Sequence, residues 1–226
     1  MANTFTNAVD LGYVVNTGQF TVSYVVGSGL NRLLVVGVQG DVTNDYITGV
    51  TYNGVAMSLI DPINGKNYVA GAGNARWEYM YYLLNPASGT HNIVISASAS
   101  CDYIIAGAAD YAGVAQVAPE ATAKHIINPG TSLTTPITTI TDNAWAILFE
   151  NGYNGGPAPG AGTGDVSRIT SGGWGLFDSG GAITPAGVYN MTTTRTSSVA
   201  IVHFIAAFAP FGGAYAYGFN MPMGGL

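Results

Sequence analysis

Val50-Thr51-Tyr52-Asn53-Gly54-Val55-Ala56-Met57 is the stretch that decides the fold. Asn-Gly between two short apolar and β-branched runs is the strongest local hairpin signal, because both turn positions of a two-residue loop need positive φ. The same grammar runs on to Val114. Trp77 to Leu84 is an aromatic run, stopped by Asn85-Pro86-Ala87-Ser88-Gly89-Thr90, and beyond it Ile93, Ile95 and Ala97 alternate with Asn92, Ser96 and Ser98. Period-two alternation around polar turns reads as strand, turn, strand.

Working outward, Phe20, Val22, Tyr24 and Val26 alternate with Thr21 and Ser23, and Gly27-Ser28-Gly29 turns the chain. Leu33 to Val38, Ala144 to Phe149 and Val199 to Phe208 are apolar on both faces, which suits strands covered on both sides in the middle of a sheet. Tyr103 to Tyr111 carries Ala106, Gly107, Ala108 and Ala109, small enough to let a facing sheet approach closely. Pro129, Pro136 and the Thr-rich stretch from Thr131 to Thr141 predict an exposed edge strand. No segment keeps a 3.6-residue period, and no repeat of fixed length is present. The expectation is an all-β chain with very little helix. It is a two-sheet antiparallel β-sandwich, jelly-roll or concanavalin-like, with residues 1–210 as one domain. Residues 211–226 form an apolar Gly, aromatic and Met tail that docks on its own domain or on a neighbour.

The 226 residues suffice for a two-sheet core. Charged residues make up 8%, against about a quarter in ordinary domains, while hydrophobic residues reach 48%. Solubility then rests on Asn, Thr, Ser and Gly, or apolar surface is buried against other copies. A net charge of −6, with Arg32, Lys66, Arg76, Lys124, Arg168 and Arg195 scattered singly, excludes a basic patch for nucleic acid. The single cysteine, Cys101, excludes an internal disulfide framework and reads as a structural thiol. Met1-Ala2-Asn3-Thr4 shows no basic and apolar leader pattern, so no ordinary secretory signal is expected. The apolar run from Val199 to Ala209 stops at Pro210, short of the roughly 20 residues a membrane helix needs.

Candidate chemistry is sparse. A glycan-degrading enzyme needs two carboxylates across a cleft; Glu78 and Glu150 are the candidates, with a solvated strand-end acid the plainer expectation for Glu78. His91, His125 and His203 lack metal spacing, and His203, inside an apolar run, is expected to be a satisfied core histidine. No Gly-x-Ser-x-Gly elbow occurs, so no catalytic residue is assigned and the chain is expected not to be an enzyme. Asp41, Asn44 and Asp45 offer a local cluster of oxygens for calcium, although three ligands fall short of the usual six to eight, and no other cofactor is expected. Tyr153, Trp174 and Asp178 flank the Gly- and Pro-rich loop from Gly152 to Gly164 and are the candidates for stacking on a sugar and fixing its hydroxyls. For assembly the candidates are Phe211, Tyr215, Tyr217, Phe219, Met221 and Met223, large apolar residues in an uncharged stretch.

Gly49-Val50-Thr51-Tyr52-Asn53-Gly54-Val55-Ala56-Met57, Tyr81-Tyr82-Leu83-Leu84-Asn85-Pro86-Ala87-Ser88-Gly89-Thr90-His91 and Ala109-Asp110-Tyr111-Ala112-Gly113-Val114 together resemble a β-sandwich module of tailed-phage structural proteins. Related modules occur in bacterial surface proteins of concanavalin-like shape. The resemblance spans roughly Leu33 to Phe208 and brings no active site with it. It implies a capsid decoration, head-fibre or tail-appendage subunit, assembled in the host cytoplasm into a virion, whose partners are copies of itself and other virion proteins. A carbohydrate-binding module or adhesin that meets a host-surface glycan through loop aromatics is the alternative.

Overall fold

The computed structural model describes residues 3–40, 44–60, 66–69, 76–152 and 156–212. All regular structure among them is strand, and no helix there is long and apolar enough to cross a membrane. The protein is an all-β sandwich of jelly-roll type in which an eight-stranded and a six-stranded antiparallel sheet pack face to face.

The first sheet is built from β1 (Thr4–Val26), β2 (Leu33–Gly40), β3 (Ile47–Tyr52), β4 (Val55–Ala56), β5 (Ser58–Leu59), β6 (Lys66–Val69), β7 (Arg76–Leu84) and β8 (Gly89–Ala112). The second holds β9 (Ala121–Thr138), β10 (Trp145–Gly152), β11 (Gly160–Ala161), β12 (Val166–Ser171), β13 (Trp174–Asp178) and β14 (Val188–Phe208). The Asn53-Gly54 hairpin forms as expected: Tyr52 pairs with Val55, and the two turn residues have φ of 50° and 74°. Two readings shift. The strand that begins the chain extends back from Phe20 to Thr4. The turn from Asn85 to Thr90 does not close a hairpin between neighbours, because β2 lies between β7 and β8 and pairs with both.

The long strands do not run straight. Tyr24 pairs with His91, yet its hydroxyl donates to Asp110 Oδ1 at 2.7 Å, nineteen residues further along β8. A straight strand would place those two positions about 60 Å apart. The ribbon of β1 and β8 therefore doubles back, and the register break from Thr17 and Cys101 to Gln19 and Ser96 marks the bend. The second sheet does the same. Thr193 and His203 belong to one strand, ten residues apart, and their side chains meet at 2.8 Å. Its register breaks fall between Thr194 and Ile201. Gly18 and the Ala-Ser run at 97–100 occupy the first bend, and Gly130 with Thr196-Ser197-Ser198 the second.

Folding over explains why the central strands are apolar on both faces. In β2, Leu34, Val36 and Val38 enter the core enclosed by the first sheet, while Leu33 and Val35 enter the layer between the sheets. In β10, Trp145, Ile147 and Phe149 face the first sheet, and Ala146 and Leu148 face the fold of their own. The small residues of β8 act as the sequence suggests, since a Cβ at Gly107 would overlap the Trp174 ring; β2 adds a second close approach, where a Cβ at Gly37 would overlap the Phe149 ring. β9, with Pro129 and Pro136, pairs among the described residues only with β14 and is an edge strand.

The two sheets repeat one connectivity. β1 with β8, β3 with β8, β2 with β8 and β2 with β7 have their counterparts in β9 with β14, β11 with β14, β10 with β14 and β10 with β13. The order along the chain is the same in both, and β12 beside β13 takes the place of β5 and β6 beside β7.

Candidate functional site

Strand β13 buries both sugar-binding candidates that the structure describes. Trp174 is 3% exposed, its ring 6.1 Å from that of Phe149 and over Gly107, so it has no free face on which a sugar ring could stack. Asp178 is fully buried and its carboxylate is taken. Oδ2 accepts from Arg168 Nε at 2.6 Å and from the Tyr111 hydroxyl at 3.1 Å; Oδ1 accepts from Arg168 Nη2 at 3.0 Å and Gly180 N at 2.8 Å. Arg168 lies 3.9 Å over the Phe5 ring, so this ion pair also ties the two sheets together. The expectation that these residues border an open loop fails because β12 and β13 are joined by only Gly172 and Gly173, which sets Trp174 at once into the sheet. Tyr153 lies outside the described residues.

The buried acids each have a structural partner. Glu150 follows the parity of Ala146 and Leu148, away from the first sheet, and accepts from Arg195 Nε at 2.9 Å. Arg195 in turn donates to the carbonyls of Pro157 and Gly173, and a Cβ at Gly152 would strike its guanidinium. Burial pushes the Glu150 carboxyl up to about 7, and Arg195 pulls against that rise. Glu78 is 2% exposed and not the solvated strand-end acid expected of it; it pairs in register with Gln39 in the first sheet, so the two carboxylates sit in different sheets. His203 is the satisfied core histidine the sequence predicts, with Nδ1 at 2.9 Å from Thr135 Oγ1 and Nε2 at 2.8 Å from Thr193 Oγ1. Burial, aided by His125 and Arg195, lowers its pKa to about 3. Cys101 is buried in the first core.

Asp45 accepts from the Tyr79 hydroxyl at 2.6 Å and lines an open groove of about 540 Å³ between β3 and β5. Burial and Asp45 together raise the Tyr79 pKa. Asn44 precedes it outside any strand, and Asp41 lies outside the described residues. Among the described residues no three His, Cys, Asp or Glu side chains gather as they would around a metal.

The assembly candidates lead to one end of the sandwich. Phe211, 48% exposed, donates its amide to Gly113 O at 2.6 Å. It lines a cleft of about 400 Å³ together with Ala115, Val117, Thr141 and Pro210, and Val117 is 51% exposed. Tyr215, Tyr217, Phe219, Met221 and Met223 lie outside the described residues.

A second opening went unnoticed in the sequence. Where β1 passes the β12–β13 turn, Asp10, Gly12 and Tyr13 face Ser171 and Gly172 across a cleft of about 270 Å³, with Ile105 and the edge of Trp174 between them. The usable signal was Asp10-Leu11-Gly12-Tyr13, a glycine interrupting an alternating strand, which marks a bulge. Compared with known proteins, the chain matches no protein-family model and no curated protein.

Proposed function

We propose that the chain is a non-enzymatic structural protein of a phage particle, a capsid decoration or tail-appendage subunit that associates with its own copies and with other virion proteins. The observation that carries this reading is the Phe211 end. Two apolar side chains about half exposed, Phe211 and Val117, border a cleft there, and the uncharged stretch with Tyr215, Tyr217, Phe219, Met221 and Met223 follows directly in the sequence. Apolar area of this kind marks contact surfaces. The 8% charge content and the resemblance of the hairpin segments to tailed-phage modules support it further. Sedimentation velocity on the full chain at micromolar concentration tests it: oligomers are expected, and Phe211→Ser shifts them toward monomer without lowering the melting temperature. A chain that is monomeric throughout contradicts it.

A second reading, recognition of a host glycan, draws support from the cleft beside Tyr13, a residue 70% exposed. Trp174 does not supply the platform in this reading.

A further inference from the structure

We infer that the cleft between β1 and the β12–β13 turn binds a single neutral pyranose, with the Tyr13 ring as its stacking face and Asp10 and Ser171 as its hydroxyl partners. The inference deepens the glycan reading and rests on it.

Its first wall is made by a bulge. Between Asp10, which pairs with Gly107, and Gly12, which pairs with Ala106, β1 contains one residue too many, and Leu11 turns into the core. Gly12 adopts φ of 84°, a conformation closed to most side chains. Its amide donates to Asp10 Oδ1 at 2.8 Å, which fixes the carboxylate at the cleft; Oδ2 accepts nothing among the described residues. Bulges commonly re-aim side chains beside binding sites. Here the extra residue puts Asp10 and Tyr13 on the same opening, although simple alternation would separate them.

The second wall is almost bare. Gly172 stands in open space, with nothing within 4 Å of where its Cβ would be, and Ser171 adds one hydroxyl. The walls therefore offer a flat ring, a carboxylate acceptor and a hydroxyl that both donates and accepts. This is the pairing a pyranose needs, with an apolar C–H face against the ring and equatorial hydroxyls against polar groups. The volume of about 270 Å³ lies below that of drug-sized pockets, roughly 300–1,000 Å³, and suits one ring rather than a long chain. Asp10 and the net charge of −6 disfavour phosphate and acidic sugars.

Ligand-observed saturation-transfer NMR on the full chain, with methyl glucoside, mannoside, galactoside and N-acetylglucosaminide as probes, tests the site. At least one probe should receive saturation. Tyr13→Ala should weaken its binding about tenfold or more, the loss of one stacked ring, while Tyr13→Phe keeps it. Asp10→Asn should weaken it by a smaller factor. Tyr13 is largely exposed, so these variants are expected to melt with the native protein. Saturation that survives Tyr13→Ala overturns the site and leaves glycan recognition standing elsewhere on the chain. No saturation from any probe overturns both.

Discussion

In the first sheet the doubled-back ribbon closes on an apolar filling, with Tyr24, Tyr52, Tyr79, Val36, Ile93 and Ile95 among nineteen buried side chains of the described residues. In the second, the corresponding space holds eight, and the closure relies on polar locks: Arg195 with Glu150, His203 with Thr135 and Thr193, and Asp165 with Tyr189 and Thr192. The connectivity is the same in both. The short strands beside β8 and β14 differ: β3 and β4 give the first sheet a hairpin, whereas β11 contributes two residues. A strand too short to bury much apolar area gains little from the hydrophobic effect. Directional contacts set its position instead, since a buried ion pair adds little net stability but strongly disfavours arrangements that separate its members.

The largest expected effect breaks that contrast at its ionic lock. Arg195→Met leaves Glu150 buried without its partner and should cost about 3–5 kcal/mol at pH 8 in denaturant unfolding. The lock of the first sheet is weaker. Tyr24→Phe removes one donor to Asp110, which keeps its bond from Gly27 N, and should cost about 1.5–3 kcal/mol. Equal losses from the two variants would remove the distinction. Between the sheets, Gly107→Ala should cost about 1–3 kcal/mol by pressing on Trp174, and pairing it with Trp174→Leu should recover part of that loss.

Acid sharpens the comparison further. His203 titrates near 3 when folded and near 6.5 when unfolded, so the unfolded chain takes up the proton first as pH falls. Its contribution to stability is whole above 6.5 and declines down to 3, by up to about 1.4 kcal/mol per pH unit. Glu150 has the opposite sign: raised from 4.5 to about 7, it contributes most below 4.5 and loses that contribution as pH rises to 7. The two oppose each other between 4.5 and 6.5, and His203 acts alone below. Melting temperatures of the wild type should therefore fall more steeply from pH 4.5 to 3 than those of His203→Gln; parallel curves would show that the imidazole does not resist protonation. The smallest effect belongs to the first hairpin, where Gly54→Ala at φ of 74° should cost about 1 kcal/mol.

Strand identity was largely legible in the sequence, because a hairpin at Asn53-Gly54 and doubly apolar runs such as Leu33 to Val38 reflect local φ and burial. The folding over was not. Ala97-Ser98-Ala99-Ser100 continues the alternation of the strand before it, and small residues accept a bend without announcing one. Trp174 and Asp178 misled for a related reason: nearness in sequence to a glycine-rich loop says nothing of whether the next residue enters a sheet. Arg168, Arg195 and Asp110 acquire their roles only from partners ten to eighty-six residues away. Tyr13 and Asp10 are legible through the glycine between them, because Gly12 interrupts a strand that runs back past Phe20 to Thr4.

The doubling back of each ribbon underlies both the shared connectivity and the difference in filling, and a distance tests it directly. Spin labels at the exposed Thr6 and Ser23 of β1 should lie on the order of 20 Å apart by pulsed electron paramagnetic resonance, since Tyr24 and Gly27 both reach Asp110 beside Asn7. A separation near the roughly 58 Å of an unbent strand would contradict the account.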